Sequence, residues 1–389
     1  MTTPSDDLAT TLTMLERLVG FDTVSSKSNL PLLASVEAYL AEIGVAFTRV
    51  PNAEGDKAAL FLTIGPAVDG GILLSGHTDC VPVEGQDWTS DPFTLRRDNG
   101  RVVGRGTCDM KGFDAICLAM LPTFQQAALK KPIHLLLSYD EEIGCLGSLD
   151  AIRRFGVDLP RPAIAIVGEP TEMAVIDAHK SIATYETIVH GKEAHSSKPH
   201  LGASAVEAAC NLVAELYRFA ETLRREGDPS GLFDPACSTV HVGQIRGGTA
   251  RNIMAKRCSF AWEFRGLPGV DQKRALAHLE ACADRVVLPT LTRHAPDARI
   301  ETHADVEVPG LAADPGSAAE TLVKKLTRSN ATGTVSFATE AGQFQAAGIA
   351  TIVCGPGSID QAHQPDEFIA ITQIEAGIEF MRRLAKELG

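Results

Sequence analysis

An α/β fold on a mostly parallel sheet, with a ferredoxin-like α+β domain inserted into it, is what this 389-residue chain predicts. Three observations carry that reading. Short apolar runs alternate with helical patterns through the first half, as strands joined by crossover helices do. Near residue 178 the pattern changes to half-exposed strands in β-α-β-β-α-β order, the split ferredoxin-like arrangement. After about residue 305 the α/β pattern returns. The expected division is 1–178 for the first part of the larger domain, 179–305 for the inserted domain and 306–389 for the second part.

In chain order, apolar residues at helical spacing predict helices over 8–19 and 30–43, and apolar runs predict strands over 59–64 and 71–75. A helix over 110–121 comes after Asp109, and 133–138 and 163–167 are further buried strands. In the insertion, 181–189 alternates as a strand and 204–223 is a long helix. Strands over 238–245 and 257–264, a helix over 271–285 and a strand over 299–306 complete it. Beyond it come a helix over 316–328, a strand over 350–354 and a helix over 373–388.

Composition narrows the function. The formal net charge of −13 argues against nucleic acid, because phosphate binding needs a basic surface. No apolar run approaches the roughly 18 residues of a membrane span. The first residues, Met1 to Asp7, lack a basic stretch followed by an apolar one, so a secretory leader is not expected and the cytoplasm is. The nine cysteines include no CxxC pair and read as reduced thiols. Cys80 and Cys108 each adjoin an aspartate of interest, which makes a thiolate metal ligand the rival reading.

The residues just beyond each apolar strand are chemically distinctive. His77 and Asp79 stand after one, Asp140, Glu141 and Glu142 after the next, Glu169 after a third, and Gly355-Pro356-Gly357 and then His363 after a fourth. Asp109 closes the glycine-bearing turn Gly104-Arg105-Gly106-Thr107. The carboxyl ends of parallel strands share one edge, where ligands bind. So many carboxylates in one cleft need cations to hold them. Oxygen and nitrogen donors suit zinc, cobalt or manganese, and the count suits two metals. His77 with Glu169 would serve one and His363 with Glu142 the other, with Asp109 bridging. Asp79, two residues from His77, shares its face and can orient the imidazole. Glu141 diverges from its neighbour and is left as general base.

These motifs resemble the zinc aminoacylase/carboxypeptidase-like metallopeptidases. The resemblance rests on Ser75-Gly76-His77-Thr78-Asp79, on Gly104 to Gly112, on Asp140-Glu141-Glu142-Ile143-Gly144, on Gly168-Glu169-Pro170-Thr171 and on Gln361-Ala362-His363-Gln364-Pro365. Val83 to Trp88, Glu142 to Ser148, Gly247 to Ile253 and Cys354 to His363 resemble, more narrowly, a branch that removes an acetyl group from the α-nitrogen of ornithine. Met254-Ala255, where that branch usually has proline, and Cys80, where it often has valine, depart from it.

The resemblance implies a di-zinc amide hydrolase, with cobalt able to substitute, acting on a small N-acyl amino acid. It implies a homodimer formed through an inserted lid and dimerisation domain, and a histidine there, His195, as oxyanion donor. Arg265 is the expected cation for a substrate carboxylate, Asn252 an added donor, and Glu340 a partner for a side-chain ammonium. A desuccinylase of a diamino acid, a general aminoacylase or a dipeptidase would use the same centre. A non-catalytic metal-binding regulator is the alternative from another class.

Overall fold

The computed structural model describes residues 4–389. Met1, Thr2 and Thr3, where the leader reading begins, lie outside the described residues. The chain divides into two compact units. One comprises 1–178, 313–333 and 339–389; the other comprises 179–312 and 334–338.

The first unit is built on one sheet, in which its strands stand in the spatial order Phe47–Pro51, Ala58–Ile64, Ile133–Ser138, Ile72–His77, Ile164–Pro170, Ala350–Gly355 and Ile176–His179. The four central strands are parallel: Ile72–His77 pairs with Ile133–Ser138 on one side and with Ile164–Pro170 on the other, and Ala350–Gly355 comes next. Parallel strands covered on both faces should be apolar throughout, and every residue of Ile72–His77, Ile133–Ser138 and Ile164–Pro170 is buried. The flanks differ from the expectation of parallel pairing. Phe47–Pro51, Ala58–Ile64 and Ile176–His179 are antiparallel to their neighbours. A hairpin between Phe47–Pro51 and Ala58–Ile64 needs no crossover helix, which is why the reversal occurs there.

Helix Lys111–Ala119 is buried along its whole length. It packs between helix Pro4–Val19 and the sheet, with the C-terminal helix Ile371–Leu388 beside it. An Arg382–Asp7 ion pair at 2.6 Å ties the first helix to the last. A small antiparallel sheet of Arg96–Asp98, Arg101–Val103 and Phe368–Ala370 holds the residues after His363 against the turn before Asp109.

The second unit has its own core and a four-stranded antiparallel sheet, in the order Thr239–Gly247, Arg257–Arg265, Ile182–His190, Arg299–Val308. That is the arrangement the β-α-β-β-α-β order implies. Strand Arg299–Val308 runs past residue 305, and the unit continues to Ala312. Helix Ala205–Glu226 buries Ala205, Ala208, Ala209, Leu212, Leu216, Phe219 and Leu223, the three-and-four spacing of one face. Ser204 caps it by accepting the Glu207 amide at 3.2 Å, a contact worth about 1 kcal/mol.

Candidate metal centre

The parallel strands deliver their ends to one edge of the first unit, and the acidic residues meet there. His77 ends its strand and is 1% exposed. The residue before it is a glycine for a steric reason: a Cβ on Gly76 would sit 2.1 Å from a carboxylate oxygen of Asp114. His77 Nε2 lies 3.0 Å from Asp109 Oδ1. His363 Nε2 lies 3.3 Å from Asp109 Oδ2 and 3.0 Å from a carboxylate oxygen of Glu142. Asp109 therefore offers one oxygen to each histidine. One oxygen each of Glu142 and Glu169 is buried without a hydrogen-bond partner among the described residues. Ligand atoms of His77, Glu141 and Glu169 fall within 4.8 Å of one another, as do those of His77, Asp109 and Glu142.

The titration behaviour reflects this crowding. Burial pushes the Glu141 carboxyl up to about 8, with Glu142 and Asp109 adding to the shift against the pull of His77. Burial and Asp109 push Glu142 up to about 7, and burial raises Glu169 well above the usual carboxylate range. Hydrogen bonds to Asp109 and Glu142 push His363 up to about 10. Burial works to lower His77, yet its bonds to Asp109 and Asp79 outweigh that and raise it. Burial first, and neighbouring carboxylates second, raise the carboxyls, while Asp109, Asp79 and Glu142 raise the two imidazoles, so a bound cation would relieve the crowding. The donors are oxygen and nitrogen, two carboxylate oxygens are orphaned and one carboxylate faces two imidazoles. These residues fit a pair of divalent metal ions.

Asp79 does more than sequence spacing suggests. The nearest acceptor to His77 Nδ1 is the main-chain carbonyl of Asp79 at 3.0 Å; the Asp79 carboxylate is at 3.5 Å. That carboxylate accepts the Ser25 hydroxyl at 2.7 Å and the amides of Glu141 and Glu142 at 3.2 and 3.3 Å. One aspartate thus positions both His77 and the loop carrying the two glutamates.

Several contributors were not singled out from sequence. The Cys145 thiol donates to Glu141 at 3.1 Å. Glu367 is 1% exposed and accepts from Arg105 Nη1 at 2.7 Å and from the amides of Gly106, Cys108 and Asp109 at 3.1, 2.9 and 3.1 Å. Its placement four residues beyond His363 was the available signal. The partners, some 260 residues away, were not. Glu340 is 1% exposed; one carboxylate oxygen accepts the Ser75 hydroxyl at 3.0 Å and the other is buried without a hydrogen-bond partner among the described residues. The thiolate rival fails. Cys80 and Cys108 are buried, burial pushes the Cys80 thiol up to about 11 and raises that of Cys108, and neither joins the ligand groups.

His195, Asn252 and Arg265 belong to the second unit. His195 and Ile253 form an antiparallel bridge, and Ser196 donates to the Asn252 carbonyl at 3.0 Å, so the two loops lie side by side. His195 is exposed, and its Nδ1 accepts the Ser197 amide at 3.2 Å. The proton of the neutral ring is therefore on Nε2, which makes that atom a donor. Arg265 is half-buried and paired with Glu263 at 3.1 Å.

An edge of converging carboxylates around two imidazoles defines a metallohydrolase centre, and the chain belongs to peptidase family M20/M25/M40, which its residues 73–387 match. It is a hydrolase of amide bonds, in a family of metallopeptidases that are typically dinuclear. Among proteins similar to it is the acetylornithine deacetylase of Myxococcus xanthus, 35% identical over 381 residues, covering 95% of each chain. Another is the acetylornithine deacetylase of Proteus mirabilis (strain HI4320), 34% identical, covering 93% of this chain and 91% of that one. The crystal structure of aminopeptidase PepT from Bacillus cereus shares the fold, with a TM-score of 0.76 at 18% identity and 98% of each chain covered.

Proposed function

We propose that this protein removes the acetyl group from the α-nitrogen of N-acetylornithine, releasing ornithine and acetate for arginine biosynthesis in the cytoplasm. Full-length similarity to acetylornithine deacetylases supports the substrate. The observation that carries the chemistry is Asp109 facing His77 and His363 with one oxygen each. His77 and Glu169 would hold one zinc ion, His363 and Glu142 a second, with Asp109 between them and cobalt able to substitute. When bound, the metals supply a Lewis acid for the amide carbonyl and bring the pKa of water towards neutrality.

The residues of the chain do the rest. Glu141, tied to no ligand histidine by a hydrogen bond and raised by burial, takes a proton from the attacking water and passes it to the leaving nitrogen. Asp79 orients His77 and holds the Glu141–Glu142 loop. His195 presents Nε2–H to the developing oxyanion. We read it as acting across a homodimer formed through the inserted domain, so that His195 of the partner subunit completes each site. Arg265, after release from Glu263, and Asn252 would bind the substrate α-carboxylate.

The test is a panel of N-acetyl, N-formyl and N-succinyl amino acids with zinc- or cobalt-loaded protein. The reading expects N-acetylornithine to exceed N-succinyl-diaminopimelate in kcat/KM by at least about 100-fold, since an unpaired succinyl carboxylate costs several kcal/mol. Preference for the succinyl compound overturns the substrate. Complementation tests the dimer. Glu141→Ala and His195→Ala proteins, each inactive, should regain activity as verified mixed dimers; mixed dimers as inactive as their parents place His195 in its own subunit or outside the chemistry.

A further inference from the structure

The stretch Val83 to Trp88 carries none of the chemistry above, yet it is tied to the centre. Gln86 donates from Nε2 to the main-chain carbonyl of His363 at 2.9 Å. Its Oε1 accepts from the Trp88 indole at 3.1 Å and from Arg105 Nη2. Arg105 is fully buried, lies 5.0 Å over the Trp88 ring, and pairs with Glu367 at 2.7 Å. Glu367 in turn accepts the amides of Gly106, Cys108 and Asp109. Next to this chain of contacts, the Thr89 amide and hydroxyl bind the Asp366 carboxylate at 3.1 and 2.9 Å.

Three loops are joined in this way: 83–89, the turn into Asp109, and 363–367. The last of them needs it. His363 and Asp366 both have left-handed backbone, with φ of 60° and 55°, which side chains disfavour. No strand holds His363, whose side chain is 51% exposed. We infer that Gln86, Arg105 and Glu367 form a positioning relay for the metal centre, in which Gln86 places His363 alone and Glu367 places Asp109. Because Asp109 faces both histidines, the two ends of the relay have different reach. Loss of Gln86 disturbs one metal position, and loss of Glu367 disturbs both.

The proposal rests on the reading of His363 and Asp109 as ligands, and the experiment separates the two. Full-length protein is stripped by chelation and titrated with Co2+, followed by calorimetry and by the visible absorption of bound cobalt. Unaltered protein taking up no cobalt defeats the ligand reading itself. With two equivalents bound, Gln86→Met should weaken one by about 10- to 100-fold, as loss of an outer-shell partner does, and leave the other within twofold. Gln86→Glu keeps the acceptor for Arg105 and Trp88 but has no N–H for the His363 carbonyl, and should behave like Gln86→Met. Glu367→Gln should weaken both equivalents. Should Glu367→Gln fail to melt cooperatively, the two Gln86 variants decide. Gln86 variants that bind both equivalents like the parent, or weaken both equally, overturn the relay.

Discussion

His77 and His363 face the same aspartate from opposite kinds of structure. His77 ends a buried parallel strand, is 1% exposed, and is fixed by the sheet, by Asp79 and by the close approach of Gly76 to Asp114. His363 is half exposed, sits in a loop with left-handed backbone, and depends on hydrogen bonds from loops remote in sequence. One half of the centre is a product of secondary structure and the other of tertiary clasping. A ligand on a strand end inherits its position from the core, whereas a ligand on a loop needs partners of its own.

The largest effect that could break this comparison is at Glu141, the proposed base beside the strand-fixed half. Glu141→Gln should lower kcat by about 10²- to 10⁴-fold and leave metal content near that of the parent, by elemental analysis. Glu142→Gln should lose metal instead. Metal loss in Glu141→Gln would show that Glu141 is a ligand and that the roles are exchanged. Next come the histidines. His77→Ala should lose metal from its buried position and fold less stably. His363→Ala should lose one equivalent with thermal stability near that of the parent, because an exposed loop side chain contributes little to the core. Equal thermal destabilisation by the two would erase the distinction.

The second unit supplies a pH test. Burial lowers His179 from its ordinary value to about 4. Its folded pKa lies below the unfolded one, so its contribution is complete above about 6.5 and is lost as pH falls through 6.5 towards 4. That is a loss on the order of 3 kcal/mol at the acid end. Denaturant unfolding of His179→Gln should show a shallower fall over this range, and an unchanged slope would contradict the assignment. The smallest effect expected is at Cys145. Cys145→Ser keeps a donor to Glu141 and should retain kcat within a few-fold, whereas Cys145→Ala should lose more with no change in metal content.

Much of this was legible from one chain. The buried strands at 72–77, 133–138 and 164–170 are apolar enough to be read directly, and the reactive residues lie just beyond their ends. The second unit's helix over 205–226 carries both its cap and its apolar face in plain view. Phe47–Pro51, Ile176–His179 and Gly333–Val335 were not legible, since three to five residues carry no period and their pairing is tertiary. Glu367 escaped for a related reason. A glutamate in a polar loop reads as solvated until Arg105 and three amides close around it. Asp79 was legible as a partner of His77, but its grip on the Glu141 and Glu142 amides requires two strands to be side by side.

The central claim is that Asp109 stands between two metal positions and that both serve amide hydrolysis. It is tested most directly by counting metal against turnover. The protein is stripped with a chelator and reloaded with zinc in steps, with zinc per chain and hydrolysis of N-acetylornithine measured on the same samples. The account predicts that activity vanishes on stripping, returns with reloading, and that the unaltered protein saturates at two zinc ions per chain while Asp109→Ala binds neither tightly. Activity that survives stripping, or an Asp109→Ala protein that still holds two zinc ions, would contradict it.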